Sequence, residues 1–170
     1  AYLERHLGMK SSFVAAADGQ FGNAILSRLP MTELDSGPLP DDGVQTRGYA
    51  IVLVELPGDD LTVAVAHTHS RSTTQVTALL DAVGPVAPLV IAGDMNIAPN
   101  DPEVALFADA GLIDAVAATG DPCRTTSAEP TSDCDRPDWV FITPDIVPTD
   151  VRIGTGGASD HLPIHVTLQM

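Results

Sequence analysis

The chain has 170 residues, which suits one domain spanning 1–170, and its 44% hydrophobic and 18% charged content is ordinary for a globular protein. No apolar run approaches the roughly 20 residues a membrane-spanning helix needs. The formal charge of −15 sets 23 acidic residues against eight basic ones, with Lys10 the one lysine. That balance argues against holding a long nucleic acid, which depends on Lys and Arg displacing counterions, and leaves open a small phosphorylated substrate or a site neutralised by a cation.

In chain order, "GNAILSRLPM" (22–31) and "YAIVLVEL" (49–56) are rich in β-branched and aliphatic residues and read as strands. "LPGDDL" (56–61) is a tight connection to "LTVAVAHTH" (61–69), which alternates Leu61, Val63, Val65, His67 and His69 on one face with Thr62, Ala64, Ala66 and Thr68 on the other. "STTQVTALLDAVG" (72–84) reads as a helix, with a Ser/Thr cap, apolar spacing at Val76, Leu79, Leu80 and Val83, and a terminal glycine. "PLVIAGDMN" (88–96) is a short apolar run ending in polar residues. "DPEVALFADAG" (101–111) reads as a second helix, with Asp101 as cap, Pro102 at its first position and Gly111 at its end. "DWVFIT" (138–143), "DVRIGT" (150–155) and "LPIHVTLQ" (162–169) complete the strands. Strands outnumber helices and several are joined by hairpins, which predicts a mixed α+β structure and not a doubly wound parallel sheet.

Cys123 and Cys134 stand in a polar loop, "DPCRTTSAEPTSDCDRP". A buried free cysteine prefers apolar surroundings, so a loop-closing disulfide is the favoured reading, and with it an oxidising, extracytoplasmic compartment. Two cysteines with no histidine nearby do not make a closed zinc site.

Several strands stop or start on polar groups. His69 ends one, Asp94 and Asn96 end another, Asp138 begins a third, and Asp160 with His161 precedes the last. Side chains fixed where a rigid strand meets solvent converge at little entropic cost. Carboxylates, an amide and imidazoles together suit a hard divalent cation and phosphate chemistry. Plainer readings stand beside this one: Asp94 and Asn96 as a turn, Asp138 as a turn cap after Pro137, Asp160 and His161 as surface residues, His67 as a packed or supporting residue. No G-x-S-x-G occurs, and Ser159, Asp160 and His161 are chain neighbours that cannot act as a serine-hydrolase triad.

"GNAILSR", "HTHS", "GDMN", "PDWVF" and "SDHLP", in this order, resemble the endonuclease/exonuclease/phosphatase superfamily of DNase I-like enzymes. The resemblance implies a four-layer α/β/β/α sandwich of two mixed β-sheets and a Mg²⁺-dependent phosphoester hydrolase (Mn²⁺ or Ca²⁺ possible) in which water attacks in line. By motif, Asp94 would orient or deprotonate the water, and Asn96 would hold the phosphate or the attacking oxygen. His161 would contact the phosphoryl oxygens, with Asp138 fixing its orientation. Asp160 would bind the metal, His69 would serve the leaving group, and Asn23 would lie near the substrate. A non-catalytic binding or assembly module built on the same fold is the alternative.

The family pattern also has two earlier strands, carrying an asparagine and a metal-binding glutamate in a "QE"-like motif, which have no counterpart in this sequence. The chain thus resembles the C-terminal part of a family member. The expectation is that it binds Mg²⁺ weakly by itself. Further expectations are open sheet edges that invite a preceding segment, a second chain or a homodimer, and a small or lipid phosphoester as substrate in preference to DNA.

Overall fold

The structure, a computed structural model, describes residues 2–16, 19, 21–41, 45–130, 132, 134–157 and 159–170. Along the chain these form α1 (Tyr2–Leu7), β1 (Lys10–Ala15), β2 (Gly22–Ser27), β3 (Met31–Pro38), β4 (Gly48–Val54), β5 (Leu61–His67), α2 (Thr73–Val83), β6 (Leu89–Asp94), α3 (Glu103–Asp109), β7 (Ile113–Asp114), α4 (Ala115–Ala118), β8 (Asp138–Ile142), β9 (Val147–Ile153) and β10 (Ile164–Gln169). A six-stranded sheet runs in the order β3-β4-β5-β6-β8-β7. Only its β5–β6 pair is parallel, joined by the α2 crossover, so the sheet is mixed and the class is α+β.

Period-2 alternation sorts the two faces of this sheet. Ala64, Ala66, Leu89, Ile91, Trp139 and Phe141 face one way, where Val76, Leu79 and Val83 of α2 and Phe107 of α3 cover them. Phe141 stacks between Phe107 and Trp139, with ring centroids at 3.9 and 5.0 Å. Val90 and Ile142 face the other way with Leu61 and Val140, against Ala115, Ile146 and the inward residues Val166 and Leu168 of β10. On this second face, among the described residues, stand two separate antiparallel pairs, β1–β2 and β9–β10, in place of one continuous second mixed sheet. The β1–β2 hairpin lies over β4 and β5.

Helix α2 follows its sequence signals closely: the Ser72 hydroxyl accepts from the Gln75 amide, and the Gly84 amide closes on the Leu80 carbonyl. Two other expectations are corrected. The run 22–31 is two strands, not one, because β2 stops at Ser27 and β3 begins after Pro30 in a different sheet. Asp101 does not cap α3. Its carboxylate accepts from the Ala98 amide and pairs with Arg71 at 3.2 Å, and no side chain caps the helix at Pro102. Strand β3 was hidden because its side chains are mostly exposed and include Glu33 and Asp35, the kind of charge that guards an edge strand.

Candidate active site

Three neighbouring strands end on the face away from α2 and α3. In β5 the alternation that buries Ala64 and Ala66 turns His67 to the opposite face. In β6 it does the same for Asp94, and in β8 for Asp138. Register then lines them up, since His67 is the cross-strand partner of Asp94 and Asp94 is the partner of Asp138. The row needs β5 and β6 to come very close. A Cβ on Gly93, whose φ is +147°, would lie 1.9 Å from the Ala66 carbonyl oxygen, inside any permitted contact. Gly93→Ala is therefore expected to cost about 2–4 kcal/mol in urea unfolding, through both overlap and backbone strain.

His161 reaches the row from the segment before β10. Its backbone bridges Ser127, and the Ala128 amide bonds the Asp160 carbonyl, while the Leu162 amide bonds Thr126. The loop that offers these partners is tied by the Cys123–Cys134 disulfide, so the predicted bridge is present. His161 Nδ1 lies 2.8 Å from Asp138 Oδ2, and Nε2 lies 4.0 Å from Asp94 Oδ2. Burial by itself would lower the His161 pKa. The Asp138 hydrogen bond, with the charges of Asp138, Asp94 and Asp160, outweighs it and raises the pKa above 6.5.

Asp94 is pushed in the same direction, its pKa raised above 3.8 by burial first and the Asp138 charge second. Its Oδ1 accepts from the Asn96 amide at 3.1 Å, and its Oδ2 lies 3.2 Å from His67 Nε2. Asn96 takes a left-handed backbone, φ 50°, which asparagine tolerates, and its side-chain amide donates to the Thr68 carbonyl. The turn reading of Asp94 and Asn96 is thus borne out.

His67 is held neutral: its pKa falls to about 4 through burial, the Arg47 charge, and then His161 and His69. His69 places Nε2 within hydrogen-bond distance of the Gln45 carbonyl, 2.7 Å, and amide, 3.2 Å. The backbone amide of His69 donates to the buried side chain of Gln75, which also bonds the Pro40 carbonyl and so joins two loops at the rim. Asn23 donates to the Gly48 carbonyl and shares a cavity of about 20 Å³ with Arg47 and His67. Asp160 is exposed with its carboxylate near Ser159 Oγ, at 3.4 Å.

Asp94, Asp138 and His161 each offer a ligand atom within 4.8 Å of the others. Two carboxylates that repel each other in a half-buried setting fit a divalent cation, which would relieve that repulsion. Beside them opens a cavity of about 460 Å³, lined by Ala92, Gly93, Asp138, Ser159, His161 and Pro163 among others. Sequence reasoning passed over Arg47, Gln75 and Arg136. The first lies in a loop-like "TRGY", and the partners of the other two are distant in the chain.

A mixed sheet whose rim gathers carboxylates, an amide and imidazoles defines the class of DNase I-like α+β proteins. The model of the Endonuclease/Exonuclease/phosphatase family matches residues 3–161, and the chain belongs to that family. An endonuclease/exonuclease/phosphatase from Beutenbergia cavernae DSM 12333 superposes with a TM-score of 0.80 at 25% identity, over 100% of this chain and 56% of that one. The chain thus spans little more than half the length of that relative. The corresponding protein of Bacteroides vulgatus gives 0.76 at 18% identity, over 99% and 79%. D. rerio TDP2 complexed with single strand DNA product gives 0.72 at 23%, over 99% and 80%. No curated protein sequence matches the chain.

Proposed function

We propose that the protein is a divalent-metal-dependent phosphoester hydrolase, with Mg²⁺ as its ion and Mn²⁺ or Ca²⁺ as substitutes. The observation that carries this reading is the Asp94–His161–Asp138 group, in which strand register aligns the two carboxylates and Asp138 and His161 line a cavity. Family membership supports the reaction class. The cation would be held by Asp160 with an oxygen of Asp94 or Asp138, and it would supply charge neutralisation at the phosphoryl group. Asp94, with its raised pKa, is suited to align and deprotonate a water. His161, whose protonated form Asp138 favours, donates to a phosphoryl oxygen. Asn96 presents its amide beside Asp94, and His69 is assigned to the leaving-group side with Asn23 near the substrate.

A net charge of −15 favours a small or lipid phosphoester over DNA. The disulfide favours an extracytoplasmic location. The flanking two-stranded pairs leave edges that a preceding segment or a second chain would fill.

The test is a hydrolysis panel of bis-p-nitrophenyl phosphate, sphingomyelin, inositol phosphates and plasmid DNA, run with Mg²⁺ and with chelator, on the chain alone and on any longer form that its gene encodes. Metal-dependent turnover that Asp160→Ala removes is the expected result. Turnover indifferent to chelator, or none in either form, overturns the reading in favour of a binding module.

A further inference from the structure

We propose that His67 is the positioning residue for Asp94, held in a single tautomer by Arg47, so that the three form a relay Arg47–His67–Asp94. The inference rests on the hydrolase reading for its catalytic consequence, though not for its geometry.

Arg47 Nη1 lies 3.0 Å from His67 Nδ1, and His67 Nε2 lies 3.2 Å from Asp94 Oδ2. A guanidinium has only donors. Nδ1 must therefore present its lone pair to Arg47, and the single ring proton resides on Nε2, the nitrogen that faces Asp94 Oδ2 at 3.2 Å. The network leaves no second arrangement that satisfies both contacts.

The backbone fixes both ends of the relay. Arg47 precedes Gly48, which is the cross-strand partner of His67, and the Arg47 carbonyl accepts from the Leu39 amide at 2.8 Å. Asn23 anchors Gly48 from β2. The cavity beside the ring, lined by Asn23, Arg47, Gly48, His67 and Phe21, measures about 20 Å³, room for about one water. In the relay His67 acts through Asp94.

The chemical sense of an imidazole here is that it orients without neutralising. A guanidinium placed directly on Asp94 would stabilise the carboxylate strongly and weaken it as a base. A neutral ring between the two gives one hydrogen bond and an aligned dipole. Oδ1 accepts from the Asn96 amide and Oδ2 lies 3.2 Å from His67 Nε2, so the relay places a donor group beside each oxygen of Asp94 and favours one orientation of its carboxylate.

The test combines imidazole ¹⁵N spectra at pH 7.5 with kinetics of His67→Ala, His67→Gln and Arg47→Met. The wild type should show His67 with its proton on Nε2, and Arg47→Met should give a tautomer mixture. His67→Ala should lower kcat about 10- to 100-fold with KM little changed, as loss of an orienting partner does. His67→Gln, which keeps an amide donor, should recover most of that loss and guards against a folding defect. An Nδ1–H tautomer in the wild type, or an unaltered kcat in folded His67→Ala, overturns the proposal. A wild type with the Nε2–H signature but no hydrolysis of any phosphoester overturns the hydrolase reading and leaves the relay supported.

Discussion

Asp138→Asn should lower kcat for phosphoester hydrolysis about 10²- to 10⁴-fold with a small change in KM, the range expected when a positioned acid loses its function. The substitution keeps the shape of the side chain but removes its charge. His161 then loses the hydrogen bond and much of the field that raise its pKa, while the burial that lowers it remains. The wild-type pH profile should be bell-shaped. Activity rises as Asp94 deprotonates, at a pH above 3.8, and falls as His161 deprotonates, at a pH above 6.5. In Asp138→Asn both limbs move to lower pH. The His161 pKa falls for the reason given, and Asp94 is freed from the repulsion of a neighbouring carboxylate. The check is kcat against pH for both proteins at fixed Mg²⁺. An alkaline limb in Asp138→Asn that stays at its wild-type position would mean that the imidazolium is not the acting form.

The site was legible in the sequence to the extent that it lies on strand ends. "HTHS", "GDMN", "PDWVF" and "SDHLP" each mark the point where an apolar alternation meets polar residues, and register does the rest by aligning His67, Asp94 and Asp138. The helix 72–84 was legible because Ser72 and Gly84 act within a few residues of chain. What escaped depends on distant partners. Asp101 looked like a cap, yet its carboxylate is claimed by Arg71 and the Ala98 amide. His67 read as a supporting residue, but its neighbour Arg47 comes from another strand connection, 20 residues away. Strand β3 escaped because an edge strand is selected for charge and so loses the alternation that marks a half-buried one.

Asp114→Ala should destabilise the fold by about 3–5 kcal/mol, because it strands a buried guanidinium. Arg136 is 1% exposed and binds Asp114 through both terminal nitrogens, at 3.1 and 2.6 Å. Its Cζ lies 3.8 Å over the Trp139 ring, so it is packed as well as paired. Its Nε finds no partner among the described residues, which leaves the pair as the charge's chief compensation. Asp114 also accepts from the Val116 amide at the start of α4, and loss of that cap adds about 1 kcal/mol. The double variant Asp114→Ala/Arg136→Met should be markedly more stable than Asp114→Ala alone, since it removes the charge together with its partner and keeps an apolar chain on Trp139. Urea unfolding of the two variants and the wild type gives the comparison. Equal loss in single and double variants would show that packing on Trp139, and not the ion pair, dominates. The pair matters to the site because Arg136 stands two residues before Asp138, and the Pro137 carbonyl between them accepts from the Met95 amide. Fixing Arg136 to Asp114 therefore fixes the end of β8 against the end of β6, and with it the separation of the two carboxylates on which the proposed chemistry depends.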